Sequence, residues 1–149
     1  MSEILFVCTG NTCRSPMAEG LLKQLGQGRD GLVSSAGVLA ADGQRASQMA
    51  VETMKKRGID LSKHRSRSLT MEMVEEAEWV LTMTETHRNH ILLLLPEHKS
   101  KVKTIKEFHD PQTKDLNVID PYGMSLSAYE KTADELERLI RALIRQKKI

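Results

Sequence analysis

Four short apolar runs recur along the chain, and segments with helical spacing separate them. Ile4-Leu5-Phe6-Val7 is the first; four consecutive apolar residues with no polar alternation read as a strand buried on both faces. Leu32-Val33-Ser34-Ser35, Trp79-Val80-Leu81-Thr82-Met83 and Val102-Lys103-Thr104-Ile105 read as the second, third and fourth strands. After the first run, Pro16 suits the opening turn of a helix that carries Met17, Leu21, Leu22 and Leu25. Ala46 to Arg57 places Met49, Ala50, Thr53 and Met54 at helical spacing and stops before Gly58, a helix-ending glycine. Thr70 caps a short helix through Glu72 to Ala77, and Thr84 caps one that passes His90 and Leu94 before Pro96 stops it. Ser127-Ala128-Tyr129-Glu130 matches a capping box, and the helix beyond shows Leu136, Leu139, Ile140, Leu143 and Ile144 as one stripe fit to cover a sheet. Gly26 to Gly31 reads as a loop, Ser35-Ala36-Gly37 as a turn, and the stretch from the fourth strand to Met124 as a long polar segment.

Strands alternating with helices imply right-handed crossovers, so the expected class is α/β: a doubly wound, four-stranded parallel sheet flanked by helices. With 149 residues, one domain over 1–149 is expected. Ligands of such sheets sit beyond the carboxyl ends of the strands, which is where the chain places Cys8.

The loop after that strand is Cys8-Thr9-Gly10-Asn11-Thr12-Cys13-Arg14-Ser15-Pro16. A strand running into a loop and then a helix aims backbone N–H groups and the positive end of a helix dipole at one point, which suits a phosphate dianion. Thr9, Gly10, Asn11, Thr12 and Cys13 form the cradle. Gly10 is the expected positive-φ position, and Asn11 tolerates a left-handed conformation. Cys8, surrounded by amides, is the candidate nucleophile as a thiolate. Arg14 can curl back to hold two phosphoryl oxygens in its planar fork, and Ser15 can donate a hydrogen bond to Cys8. A Walker-type nucleotide loop is excluded, since no lysine occurs between Met1 and Gly20.

Composition narrows the partners. A net charge of +2, with basic residues interspersed among acids, leaves no nucleic-acid footprint. The longest apolar run, Ile91 to Leu95, is far too short for a bilayer, so no membrane is expected. Two cysteines, both in the loop, point to reactive thiols in a cytoplasmic protein. His87 and His90, three apart on a helix, read as surface histidines because no cysteine or carboxylate cluster joins them as metal ligands. Two Asp-Pro pairs, Asp110-Pro111 and Asp120-Pro121-Tyr122, are the places from which a stiffened loop can bring a general acid.

The loop resembles the active-site signature of the low-molecular-weight protein tyrosine phosphatase family, a cysteine, five residues, arginine and serine. Asp120-Pro121-Tyr122 ahead of the last helix resembles the second mark of that family. The resemblance implies a protein phosphatase with no cofactor and no metal: Cys8, Arg14 and Asp120 catalytic, Tyr122 one wall of the substrate entrance, and Ser35 a brace for Asn11. Asp110 is left as a turn former. Thr12, the Ser-Ser-Ala-Gly stretch at 34–37 and Thr104-Ile105-Lys106-Glu107-Phe108 are similar to the bacterial protein arginine phosphatase branch, which implies phosphoarginine in proteins as substrate. A tyrosine phosphatase of the same fold is the alternative. An arsenate reductase is the more distant one, because its thiol relay needs further cysteines and none follows Cys13. Cys13 is also placed to form a disulfide with Cys8 on oxidation.

Overall fold

The first apolar run forms β1 (Ile4–Cys8), buried along its whole length, which is why its sequence does not alternate. The computed structural model describes residues 3–26 and 30–149. In chain order the elements after β1 are α1 (Arg14–Leu25), β2 (Val33–Gly37), α2 (Gln48–Lys55), α3 (Met71–Glu76) and β3 (Trp79–Thr82). There follow α4 (Glu85–Leu94), β4 (Val102–Thr104), α5 (Ile105–His109) and α6 (Leu126–Arg145). The sheet has order β2-β1-β3-β4 and every pairing is parallel, as the alternation of elements implies.

Because side chains alternate along β1, it feeds two cores. Ile4, Phe6 and Cys8 join Met17, Leu21 and Leu22 of α1 and Leu136, Leu139, Ile140 and Leu143 of α6. Leu5 and Val7 join Val74 of α3, Val80 of β3, Val102 of β4 and Ile91 of α4 on the opposite face. Helices therefore cover both sides of the sheet, and its carboxyl edge stays open for the loop after β1. In register, Cys8 stands beside Gly37 and Val7 beside Thr82.

Several boundaries differ from the sequence reading. Ser35-Ala36-Gly37 belongs to β2 rather than to a turn, because it pairs with Phe6, Val7 and Cys8. β4 stops at Thr104: the Thr104 hydroxyl accepts the Glu107 N–H and the Glu107 carboxylate accepts the Thr104 N–H, so a capping box starts α5 inside what reads as strand and polar segment. The cap of α6 is Ser125, whose hydroxyl accepts from Ala128 N, two residues before Ser127. Ser47 caps α2, so that helix begins at Gln48 instead of Ala46. Residues 27–29, half of the expected loop at 26–31, lie outside the described residues, and Asp30–Leu32 forms a single 3-10 turn. Among the described residues no helix is long and apolar enough to cross a membrane.

Candidate active site

At the end of β1 the chain turns inward, and the turn is made at Asn11 rather than Gly10. Asn11 has φ 56°, and Gly10 does not adopt a positive φ. Asparagine accepts this conformation when its side chain is bonded locally, and here every polar atom of that side chain is used. Asn11 Oδ1 accepts from Arg67 N at 2.9 Å; Nδ2 donates to Ser15 Oγ at 2.8 Å and to Ser35 Oγ at 2.9 Å. Ser35 therefore occupies the bracing position expected for it, and its own hydroxyl donates to Glu19 Oε1 at 2.6 Å. From the other side, His64 Nε2 lies 2.8 Å from the Asn11 carbonyl.

This wiring fixes the hydrogens around Cys8. Since Ser15 Oγ accepts from Asn11, its own hydrogen is left for Cys8 Sγ, 2.8 Å away, and Asn11 N donates to the same sulfur at 3.3 Å. Two donors thus converge on this buried sulfur. The neighbouring helix end adds to this. α1 has no side-chain cap and no acid in its first turn, whereas α2 to α6 are capped by Ser47, Thr70, Thr84, Thr104 and Ser125. Its first N–H groups are thus left for an anion.

Arg14 is buried and held from behind: Nη1 donates to the Val118 carbonyl at 2.9 Å, and Nη2 lies 3.5 Å from both Thr9 Oγ1 and Asp120 Oδ2. Asp120 is half-exposed and its Oδ1 accepts from Tyr122 N at 3.0 Å, so a short turn sets the aromatic ring at the rim. A cavity of about 260 Å³ is lined by Cys8, Thr9, Gly10, Thr12, Cys13, Arg14, Gln44, Asp120 and Tyr122. Larger cavities lie elsewhere, about 580 Å³ behind the loop and about 740 Å³ beside Trp79. What marks this one is its convergent donors and its sulfur, not its size. Asp110 plays the turn role expected of it, accepting from Gln112 N.

Cys13 faces away from solvent into a ring with Ser47 Oγ at 3.5 Å and Tyr129 Oη at 3.3 Å. Burial, and then the Cys13 contact, push the Tyr129 phenol up to about 12, so it stays protonated. Both cysteines are free thiols.

One histidine departs from its sequence reading. His87 is buried, not on the surface, with Nε2 2.8 Å from Thr9 Oγ1. Burial, followed by the nearby Arg14 charge, drives its pKa down to about 4. No group of three metal-ligating side chains forms among the described residues. His87, Arg67, Gln44 and the Val118 carbonyl escaped the sequence reading, because each reaches the loop only through tertiary folding. Gly37 escaped as well: a Cβ there would lie 2.5 Å from Thr9 O and 2.9 Å from Asn11 N, so only glycine lets β2 press against the loop.

A phosphate-sized cradle on the carboxyl edge of a parallel sheet, with a buried sulfur at its floor and an arginine closing it, defines a cysteine-dependent phosphatase. The model of the low molecular weight phosphotyrosine protein phosphatase family matches residues 3–149, and the chain belongs to that family. The Protein-arginine-phosphatase of Bacillus subtilis (strain 168) is 45% identical over 149 residues, which span 98% of this chain and 97% of that one. The solved YwlE arginine phosphatase from Geobacillus stearothermophilus superposes with a TM-score of 0.91 at 42% identity, covering 99% of this chain and 94% of that one. A YwlE arginine phosphatase mutant with a phosphorylated active-site serine superposes at 0.89 with 44% identity, covering 97% and 95%.

Proposed function

We propose that this chain hydrolyses phosphoarginine in proteins, by way of a phosphocysteine formed on Cys8. The observation that carries the reading is Cys8 Sγ held by Ser15 and Asn11 donors at the floor of a pocket that Arg14 closes and Thr12 and Asp120 flank. The named activity of the Bacillus subtilis relative supports the substrate, and the phosphorylated active-site serine of the solved mutant supports a covalent phosphoenzyme.

In the first step the Cys8 thiolate attacks phosphorus as the P–N bond to the guanidine breaks. Guanidine is too strong a base to leave as an anion, so Asp120 delivers the proton to the departing nitrogen. Thr9, Gly10, Asn11, Thr12 and Cys13 present the cradle, and the fork of Arg14 takes the equatorial oxygens. In the second step a water attacks the phosphocysteine, its proton passes to the Asp120 carboxylate, and phosphate leaves with the thiolate restored. Every step uses protein groups and water. Thr12 presents a hydroxyl where an aliphatic side chain would give contact to a phenyl ring, and once Asp120 has given up its proton its carboxylate pairs electrostatically with the released guanidinium. Unpaired buried thiols fit a cytoplasmic enzyme acting on phosphorylated proteins.

Tyr122, largely exposed at the pocket rim, favours a second reading, in which the ring of phosphotyrosine stacks against it. Phosphate release from one peptide carrying either phosphoarginine or phosphotyrosine, with Cys8→Ser as the blank, separates the two. A higher kcat/KM on phosphoarginine is the expected result; a higher value on phosphotyrosine overturns the substrate, and activity retained in Cys8→Ser overturns the mechanism.

A further inference from the structure

His87 has no part in the chemistry above, yet it is buried beside it and only one of its ring nitrogens is satisfied. Nε2 lies 2.8 Å from Thr9 Oγ1, while the buried Nδ1 has no partner. We propose that His87 is a positioning residue: its neutral imidazole donates Nε2–H to Thr9 Oγ1, so that the Thr9 hydroxyl hydrogen is turned towards the phosphate pocket as one more donor.

The tautomer follows from what burial tolerates. If Nδ1 carried the proton, a buried N–H would go unpaired, which folded proteins avoid more strictly than an idle acceptor. With the proton on Nε2, the unpaired atom is only a lone pair. The imidazole is neutral because burial and the charge of Arg14 oppose protonation; Asp120 acts weakly in the other direction and His90 adds to the opposition.

Consequences for Thr9 follow by counting its hydrogen-bonding capacity. Its oxygen has two lone pairs and one hydrogen. One lone pair takes His87 Nε2–H, and Arg14 Nη2 approaches the other at 3.5 Å. Only the hydrogen remains, and Thr9 lines the cavity that holds Cys8. Thr9, Arg14 and Asp120 line both that cavity and a neighbouring one of about 450 Å³ that His87 also lines, so His87 supports Thr9 from the side away from Cys8. Without the imidazole donor, the Thr9 hydroxyl would be free to turn its hydrogen away from the phosphoryl group.

The inference rests on the phosphatase reading, and two measurements test it. Nitrogen-15 NMR of the wild-type imidazoles reports the His87 tautomer directly: protonation at Nε2 is expected, and protonation at Nδ1 overturns the proposal. A kinetic cycle on the phosphoarginine peptide then compares His87→Leu, Thr9→Val and the double variant. His87→Leu is expected to lower kcat about tenfold with little change in KM and to have no further effect in Thr9→Val. His87→Gln, whose amide can donate to the same oxygen, should recover most of the rate. Equal losses from His87→Leu in both backgrounds, or no recovery with Gln, overturn the proposal. The Cys8→Ser blank keeps the outcomes apart, since residual activity there sinks the phosphatase mechanism and leaves the tautomer result standing.

Discussion

The phosphate loop and the segment that carries Asp120 meet at the same pocket but are held in opposite ways. Asn11, Ser15 and Arg14 are buried, and their side chains bond to groups from α1, β2, the 64–67 stretch and Val118. Asp120 is half-exposed, its neighbours Ile119 and Tyr122 are more exposed still, and its bonds are a turn to Tyr122 N and a 3.5 Å approach to Arg14. An anion cradle must have its donors in place before charge develops, whereas an acid has to let substrate in and product out. On the proposed mechanism, rigidity and looseness are thus divided between two partners in one reaction.

The sharpest way to break this contrast is to remove one anchor from each side. Asp120→Asn keeps the turn but not the proton, so kcat should fall about 10²–10³-fold while the thermal midpoint stays within a few degrees. Asn11→Ala leaves Ser35 Oγ and Arg67 N without their partner, so the expected loss is about 10²-fold in kcat together with about 2 kcal/mol of stability. If the two variants lost stability equally, the division of labour would be wrong. Denaturant titrations of both, run beside the kinetics, decide it.

The second test uses protons. His87 binds them at about 4 in the folded protein and at its ordinary value of 6.5 when unfolded. Between those values the unfolded chain holds more protons, so folding stability rises with pH across the window. It should fall by up to about 3 kcal/mol as pH drops from 6.5 to 4, and His87→Phe should flatten that part of the profile. An unchanged slope in the variant would assign the effect to other groups.

Much of this was legible in the sequence. β1, the cradle residues and the helix after them are contiguous, so strand and loop chemistry could be read in one stretch of about a dozen residues. The identity of Ser35 as the brace, by contrast, came from resemblance, and His64, Arg67 and His87 carry no local signature at all. They reach the loop from 53, 56 and 78 residues away. α5 hid for another reason: Val102 to Ile105 has strand composition, and only the reciprocal bonds of Thr104 and Glu107 stop it short. His87 was misread because helical spacing does not say which face of α4 meets the sheet edge.

Smaller effects sharpen the picture at the mouth of the pocket. Thr12→Ile should move the ratio of kcat/KM on phosphotyrosine over phosphoarginine upward by about tenfold, with stability nearly unchanged. A constant ratio would mean that Thr12 only fills space. Smaller again is the role of Cys13. On the proposed protection, peroxide would convert the Cys8 thiolate to a sulfenic acid, and the Cys13 thiol would then displace water to give a disulfide that thiol reductants reopen. Cys13→Ser should therefore recover a few-fold less activity after peroxide and dithiothreitol than the wild type, as read by residual turnover.

The strand order β2-β1-β3-β4 has a consequence for how the molecule comes into being. The nucleophile belongs to the earliest strand, but that strand lies inside the sheet and needs β3 on its far side. The loop then waits for residues 64 and 67, Arg14 for the carbonyl of residue 118, and the face under Cys8 for α6. Pairings of such long sequence separation close late. On the proposed mechanism the cysteine would thus stay without a working centre until those distant segments and α6 have docked.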